Sequence, residues 1–155
     1  MNSLSVIFIV AKYPATYGHT SVINNLCRGL TNLGHKTAIG AFHFESEPPE
    51  NVEKVQLNKL ELLKSGVKSL DYDIIHPHQA QVLYYLLAKK PNKPIVFHYH
   101  AASNIIQELN LKFSMTIFKN KISKFISVSK KASNHLKEWA GKCDDVVVYN
   151  GVDTK

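Results

Sequence analysis

A continuous apolar run near the start of the chain, Ser5-Val-Ile-Phe-Ile-Val10, constrains the fold more than any other feature. A run that is apolar at every position and rich in β-branched residues is typical of a strand covered on both faces, as in parallel sheets. Similar short runs recur and alternate with stretches of helical spacing, which implies right-handed crossovers. The sequence therefore predicts an α/β, doubly wound, mainly parallel sheet of about six or seven strands, with helices on both faces.

The pattern also predicts where each element lies. The predicted strands are residues 5–10, 37–42, 52–57, 73–76, 95–100, 124–128 and 146–149. The first helix should begin at a cap formed by Thr20 or Ser21 and end at Gly34. Its apolar residues at helical spacing are Val22, Leu26, Leu30 and Leu33. The later helices are predicted over residues 60–70, 79–90, 104–122 and 130–139.

Composition limits the class of protein. A chain of 155 residues with 45% hydrophobic residues is about one globular domain. No apolar stretch approaches the roughly 18 residues of a membrane span, and the run at Val6 to Ala11 lacks the basic region of a signal peptide. Cys27 and Cys143 lie far apart, without the spacing of a metal site or a disulfide framework. We therefore expect a cytoplasmic protein.

The positive charge is concentrated in one segment. Eight lysines lie between Lys112 and Lys142 against one acid, Glu138, and this excess equals the net charge of +7 of the whole chain. A solvated helix surface is the more common explanation, and a face for an anionic partner is the alternative. Apolar residues interleave with these lysines at Phe113, Met115 and Phe118. We therefore hypothesise peripheral contact with an anionic membrane at its inner face.

The same helix allows a plainer interpretation. Its apolar stripe from Ile105 to Phe118 is more often the core face of a helix than a lipid-facing one. Nucleic acid is not an expected partner, because no aromatic-basic platform or recognition helix is visible.

Two predicted strands end in the sequence His-x-His. The first ends in His76-Pro77-His78 and the second in His98-Tyr99-His100. Residues two apart on a strand point to the same face, and ligands of α/β sheets bind at the carboxyl edge. Up to four imidazoles could meet there, either as a zinc site or as part of a substrate cleft. Because neither pair has a carboxylate or thiolate at matched spacing, we expect no metal.

The loop after the first strand is a second candidate feature. Gly18 precedes the first helix, whose free N–H groups and positive dipole end can bind an anion. A glycine allows close approach of the backbone, but a single glycine matches neither a dinucleotide-binding fingerprint nor a P-loop. A plain turn and a phosphate-contacting or sugar-contacting loop therefore both remain open.

The order of these features resembles the N-terminal, acceptor-side half of the GT-B glycosyltransferases, specifically retaining family 4. The resemblance extends over essentially the whole chain. The residues that carry it are Tyr13-Pro14, Gly18, Leu33-Gly34-His35-Lys36-Thr37, Asp73-Ile-Ile-His76-x-His78, Pro94-x-Val-x-x-x-His100, Phe125-Ile-Ser-Val-Ser129 and Val147-Val-Tyr-Asn150-Gly151-Val152-Asp153. The resemblance implies a Rossmann-like domain over residues 1–150, with 151–155 beginning the linker to a C-terminal donor domain that is absent from the sequence.

The resemblance also implies a reaction and its participants. Such enzymes transfer a sugar from a nucleotide-sugar donor to a sugar or lipid-linked acceptor, with retention and without a metal or other cofactor. His100 matches the histidine that approaches the transferred sugar, so it is the expected catalytic residue. Gly18 matches the loop near the donor diphosphate, and His19 stands where the family has a further glycine.

The remaining histidines and polar residues have less specific expectations. His76 and His98 should be hydrogen-bonded core histidines, whereas His78 should line the cleft or be exposed. The other candidate substrate-binding or donor-binding residues, each of which could instead cap a helix, are Ser103, Asn104 and Ser129.

Taken together, these features predict the acceptor side of a sugar-transfer cleft. We expect it to be inactive without a donor domain, supplied in the same chain or as a separate subunit. Self-association through the uncovered cleft is a further expectation. The alternative is a non-catalytic Rossmann-like module that binds a protein partner or an anionic membrane.

Overall fold

A computed structural model describes residues 3–15, 18–101, 104–141 and 143–150. Seven parallel strands occur within these ranges: β1 (Ser5–Tyr13), β2 (Lys36–Phe44), β3 (Glu53–Gln56), β4 (Ile74–Pro77), β5 (Val96–Tyr99), β6 (Lys124–Ser127) and β7 (Asp145–Val147). They form a four-stranded sheet in the order β3-β2-β1-β4 and a three-stranded sheet in the order β5-β6-β7. A bridge between Ile75 and Ile95 joins the two sheets. The predicted α/β, Rossmann-like architecture is confirmed.

Five helices connect these strands within the described residues. They are α1 (His19–Asn32), α2 (Lys59–Ser65), α3 (Leu83–Leu86), α4 (Ile105–Phe118) and α5 (Lys130–Ala140). Short 3₁₀ turns occur at Gly66–Ser69, Ala80–Val82 and Lys119–Lys121. None of the helices in the described ranges combines the length and apolar character needed to cross a bilayer.

The central strand β1 is buried on both faces, as its continuous apolar run predicts. Phe8 and Val10 pack in a core with Ile23 and Cys27 of α1. Residues of β1 that point the other way, such as Ile7, belong to a larger core that also contains residues of α2 to α5. Helices therefore cover both faces unequally, with α1 on one side and the other four helices on the opposite side.

Helix α1 begins earlier than the capping pattern indicates. Gly18 is its N-cap, with φ of +79°, and His19 is its first residue. The prediction of a cap at Thr20 or Ser21 is wrong, because the Thr20 hydroxyl donates to the Ala15 carbonyl instead. At the other end, Gly34 follows the helix in the left-handed conformation with φ of +84°, as expected.

The buried side of α1 overlaps only in part with the predicted apolar residues. Ile23 and Cys27 are the fully buried residues of the helix, Leu26 and Leu30 are partly buried against the same core, and Leu33 is largely exposed. The predicted residues therefore flank the centre of the buried side, which Ile23 and Cys27 occupy.

Helices α2 and α3 are shorter than predicted. The helix expected over residues 60–70 ends at Ser65, where Gly66 adopts a φ of +60°. The segment 79–90 contains only one 3₁₀ turn and the four residues of α3. The Lys121 ammonium donates to the Leu87 carbonyl just after α3, so a long-range contact satisfies the backbone where the helix ends.

Helix α4 packs the opposite way from the predicted core stripe. Its buried residues are Leu111, Ser114, Met115 and Phe118. Its exposed large apolar residues are Ile105, Ile106, Leu109, Phe113 and Ile117. The expectation that Met115 and Phe118 face a membrane is therefore wrong. The helix carries two apolar stripes, and the shorter stripe faces the core.

Strand β7 begins at Asp145, one residue before its predicted start, and the side chain of this acid is buried. The Asp145 carboxylate accepts a hydrogen bond from Ser127 at 2.7 Å and pairs with Lys137 at 2.9 Å. Burial alone would raise the pKa of Asp145, but the hydrogen bonds from Lys137 and Ser127 hold that pKa below its usual value. A satisfied carboxylate can occupy this position, although the sequence pattern favours an apolar residue.

Two glycines of α1 provide a test of this geometry. We expect Gly18→Ala to lower the free energy of unfolding by about 1–2 kcal/mol, because a Cβ disfavours positive φ. Gly29→Ala is the matched control, since neither glycine has an atom within 4 Å of an added Cβ and no positive φ occurs at Gly29. It should stabilise the helix by about 0.5–1 kcal/mol. Urea unfolding of both variants measures the difference, and changes of the same sign would contradict the left-handed cap.

Candidate functional site

Histidines from β4, β5 and the start of α1 form one cluster at the carboxyl edge of the sheet. We call this group the histidine cluster; its members are His19, His76, His78, His98 and His100. The ring centroids of His76 and His78 lie 4.8 Å apart, and those of His98 and His100 lie 4.6 Å apart. The ring of Phe8 lies 5.0 Å from that of His76, which places the cluster on the α1 side of the sheet.

Two other histidines hold the His100 ring. His78 Nδ1 and His100 Nε2 lie 2.8 Å apart and share a hydrogen bond. The ring of His19 stacks on that of His100, with centroids 4.1 Å apart and an interplanar angle of 24°. The expected proximity of His78 to His100 is therefore present, and the stacking by His19 is a contact that sequence reasoning missed.

Three members of the cluster are almost completely buried. His76, His78 and His98 expose 8%, 2% and 3% of their surface. Several ring nitrogens have no hydrogen-bond partner in the described part of the chain, namely His76 Nε2, His78 Nε2, His98 Nδ1 and His98 Nε2. The predicted burial of His76 and His98 is confirmed. The expectation that they are hydrogen-bonded core residues is wrong for these atoms of His76 and His98, whose rings lie against other imidazoles.

Burial keeps these imidazoles neutral. It lowers the pKa of His76 to about 3, with a smaller contribution from His98. It lowers the pKa of His98 to about 4 and that of His100 to about 2, and in both cases nearby His19 acts in the same direction. The pKa of His78 lies well below its usual value for the same reason. At neutral pH the cluster therefore presents uncharged rings that can donate and accept hydrogen bonds.

A cleft opens beside His100 at the carboxyl edge. Its walls come from the start of α1, the turn after β4, the end of β5 and the side of α4. The lining residues include His19, His78, Gln79, His100, Gln107 and Asn110. Gly18 lies next to His19, and apart from its chain neighbours no atom of the described residues lies within 4 Å of the position where a Cβ would be. The backbone at Gly18 is therefore open to a neighbouring group.

Gln79 connects the end of β4 to β1 at this edge, and sequence reasoning missed this residue. Its side-chain Oε1 accepts a hydrogen bond of 2.8 Å from the Ala11 backbone N–H of β1. The backbone N–H of His78 also donates to the Ile9 carbonyl at 3.0 Å. The sequence could have indicated Gln79, because this polar residue directly follows His76-Pro77-His78 at the end of the strand.

The other predicted site residues lie at helix starts. The side chain of Asn104 accepts a hydrogen bond from the Gln107 N–H and caps α4. Ser129 accepts one from the Ala132 N–H and caps α5 in the same way. Neither is among the residues that line the cleft at His100. Ser103 lies outside the described residues. A ligand contact for these residues remains a prediction.

The outer face of α4 is a second surface of interest. We call Ile105, Ile106, Leu109, Phe113 and Ile117 the α4 outer face; their exposed fractions range from 47% to 72%. Contiguous exposed apolar side chains of this kind mark interaction surfaces more often than scattered single ones do. The helix is therefore apolar on the core side and on the solvent side.

Lysines near this face already contact the protein. Lys119 donates to the Ala140 carbonyl at 3.0 Å, and Lys112 lies over the Trp139 ring. Lys124 forms an ion pair with Asp144 at 2.6 Å. The lysines of the basic segment therefore have partners within the protein, and two of these partners, Asp144 and Asp145, are acids that lie just beyond residues 112–142.

The chain is similar to known glycosyltransferases in sequence and in fold. A family model described as Glycosyltransferase Family 4 matches residues 17–155. No curated protein matches the chain by sequence. Three solved structures illustrate the similarity in fold.

HepE from Anabaena, in complex with UDP and glucose, has a TM-score of 0.73 at 14% identity, with 97% of this chain and 45% of HepE covered. A glycosyltransferase from Rickettsia africae has a TM-score of 0.72 at 20% identity, covering 99% of this chain and 44% of that one. WaaG, a glycosyltransferase involved in lipopolysaccharide biosynthesis, has a TM-score of 0.62 at 14% identity, covering 92% and 44%.

The chain thus spans less than half the length of these three structures. Its parallel sheets and helices agree with one Rossmann-like half of a GT-B fold. Because the family model covers nearly all of the sequence, the chain belongs to Glycosyltransferase Family 4.

Proposed function

We propose that residues 1–150 form the acceptor-side domain of a retaining glycosyltransferase that uses a nucleotide-sugar donor. Residues 151–155 would lead toward a donor-binding domain, in the same polypeptide or in a separate subunit. The family membership supports this proposal. The similar fold of HepE, a protein whose structure contains UDP-glucose, supports the donor class.

The cleft at His100 is the observation that carries the proposal. It lies at the carboxyl edge of a parallel sheet, where ligands of such folds bind. It brings His100, His78 and His19 together with the polar groups of Gln79 and Asn110. Several neutral donors and acceptors on one apolar-backed wall suit a sugar, which offers hydroxyl groups and carries no charge.

His100 would bind a hydroxyl of the transferred sugar. Its ring is neutral at physiological pH and is oriented by the hydrogen bond with His78. A fixed neutral imidazole can accept from or donate to a hydroxyl and can help to stabilise positive charge that develops near the anomeric carbon. The transfer step, as proposed, requires no metal.

The start of α1 would face the donor diphosphate. Gly18 leaves the first turn open, and α1 is 14 residues long, so its N-terminus offers unpaired N–H groups and a positive dipole end. The His19 ring lies against His100 rather than over the open side of Gly18. A diphosphate could therefore approach the backbone here while its tight binding depends on the donor domain.

Substitution of His100 tests this proposal in the complete enzyme. We expect His100→Ala to lower kcat by about 100-fold or more, because it removes a group that stabilises the transition state. His76→Ala should lower kcat less, since His76 is buried beneath the cleft. Release of UDP from UDP-glucose, and of the corresponding nucleotides from other nucleotide sugars, measures turnover.

The exposed His43→Ala variant is the matched control and should retain full activity. Equal losses in His100→Ala and His76→Ala would contradict the assigned role of His100. A complete protein that folds, binds a partner and releases no nucleotide from any sugar donor would favour the alternative of a non-catalytic module.

The α4 outer face favours a second element of function, namely peripheral binding to an anionic membrane where a lipid-linked acceptor would lie. Ile105, Leu109, Phe113 and Ile117 can enter the interfacial region, and the ammonium groups of Lys112 and Lys119 are near enough in sequence to contact lipid headgroups. This arrangement would place the chain at the inner face of the membrane, in the cytoplasm.

Vesicle co-sedimentation tests this element. The double variant Leu109→Ser/Phe113→Ser should lose affinity for acidic vesicles by about 100-fold or more, because burial of each such side chain is worth about 1.5–3 kcal/mol. Leu60→Ser is the matched control, since Leu60 is similarly exposed but lies on α2. Equal and negligible binding of the unmodified chain to acidic and neutral vesicles would refute membrane contact. Oligomers in light scattering that the double variant abolishes would instead assign the face to self-association.

A further inference from the structure

The base of the histidine cluster contains more unpaired ring nitrogens than a buried site normally tolerates. His76 Nε2, His78 Nε2 and both nitrogens of His98 have no hydrogen-bond partner among the described residues. Leaving buried polar atoms unsatisfied costs free energy, and in native proteins such atoms usually indicate an additional bound water or ion. The cluster therefore calls for a ligand beneath the cleft.

Three of these rings, from two neighbouring strands, lie close enough together to share one ion. One ring nitrogen from each of His76, His78 and His98 lies within 4.8 Å of the others. A Zn–N bond of about 2.0–2.1 Å places two ligands of a tetrahedral ion roughly 3.4 Å apart. Shifts of less than about 1 Å in each ring would therefore bring the three nitrogens to bonding distance.

We propose that His76, His78 and His98 form a binding site for a transition-metal ion of the zinc class. Three neutral imidazoles are a ligand set that such ions accept, with a fourth position open for water. Hard cations such as Mg²⁺ or Ca²⁺ prefer oxygen ligands and do not fit. This site departs from the expectation drawn from sequence, which weighed the lack of a nearby carboxylate or thiolate but had no information on unpaired nitrogens.

A neighbouring hydrogen bond supports the assignment. A histidine that binds a metal through one ring nitrogen usually donates its other N–H to an acceptor, which fixes its orientation. His78 has an unpaired Nε2, and its Nδ1 lies 2.8 Å from His100 Nε2. An ion on His78 Nε2 would place the proton on Nδ1, so that His78 donates to His100.

The ion would therefore influence the cleft without entering it. When the Nδ1–H of His78 donates to Nε2 of His100, the neutral His100 ring must carry its own proton on Nδ1. The ion fixes which nitrogen of His100 can donate, and it also links β4 to β5, which share only the single bridge between Ile75 and Ile95 in their sheet pairing. The proposal rests on the buried rings alone and not on the sugar-transfer reaction.

Titration with Co²⁺ and Zn²⁺ tests the site. The chain is first treated with a chelator, then mixed with each ion and separated from excess by gel filtration. We expect one retained ion per chain by elemental analysis and the intense visible absorption of tetrahedral Co²⁺. His98→Phe replaces a ligand by an apolar ring of similar shape and should lower the affinity by at least about tenfold.

Two controls keep the test decisive. His43→Phe changes an exposed histidine outside the cluster and should leave the affinity unchanged. If His98→Phe does not fold, as judged by circular dichroism, the unmodified chain still reports the site, because bound Co²⁺ should broaden the NMR signals of the Phe8 ring beside His76. Retention of no ion, which would leave the cluster holding water at most, overturns the proposal. So does equal loss of affinity in both variants, or Co²⁺ binding that leaves Phe8 unchanged.

Discussion

The parallel pairing of β1 between β2 and β4 is the interaction on which the rest of the structure depends. Its register sets Phe8 opposite His76 and Ile9 opposite Pro77. The His78 N–H then continues the same ladder to Ile9, and Gln79 closes it on Ala11. Because β1 is buried on both faces, this register cannot slip without exposing one of two hydrophobic cores. The positions of His78 and Gln79, which line the cleft directly after β4, follow from this register.

The histidine cluster forms because a short sequence pattern is repeated at the ends of two parallel strands. Parallel strands end at the same edge, so two His-x-His sequences on β4 and β5 deliver their rings to one place. The same arrangement removes the rings from water, which favours their neutral forms. Neutral imidazoles both bind hydroxyl groups and coordinate metal ions, so one arrangement supports the proposed sugar contact at the surface and the proposed ion beneath it.

The sequence was a good guide to elements whose environment is set by local pattern. The apolar run of β1 predicted a doubly buried strand, and the capping roles of Asn104 and Ser129 were visible as alternatives because a cap depends on neighbouring backbone. The meeting of His76, His78, His98 and His100 was predicted as a possibility, because alternation along a strand and the shared carboxyl edge of parallel strands are both set by local pattern.

Features set by distant contacts were harder to predict. Stacking of His19 on His100 joins residues 81 positions apart, and no local pattern encodes it. The core side of α4 was misjudged because the helix has two apolar stripes and periodicity does not say which one the sheet will cover. The burial of the Asp145 carboxylate was also not predicted, because its partners Lys137 and Ser127 lie on other elements.

The uncovered stripe of α4 also has a thermodynamic consequence. Its large side chains retain apolar area that folding leaves in contact with water, and transfer of such side chains to an apolar phase is worth about 1.5–3 kcal/mol each. A few of them together approach the roughly 5 kcal/mol that a single myristoyl chain gives to a membrane-bound protein. Attachment of that strength is readily reversed. A chain held in this way would exchange between membrane and solution and would need the charge of its lysines, or a second contact, to remain at the surface.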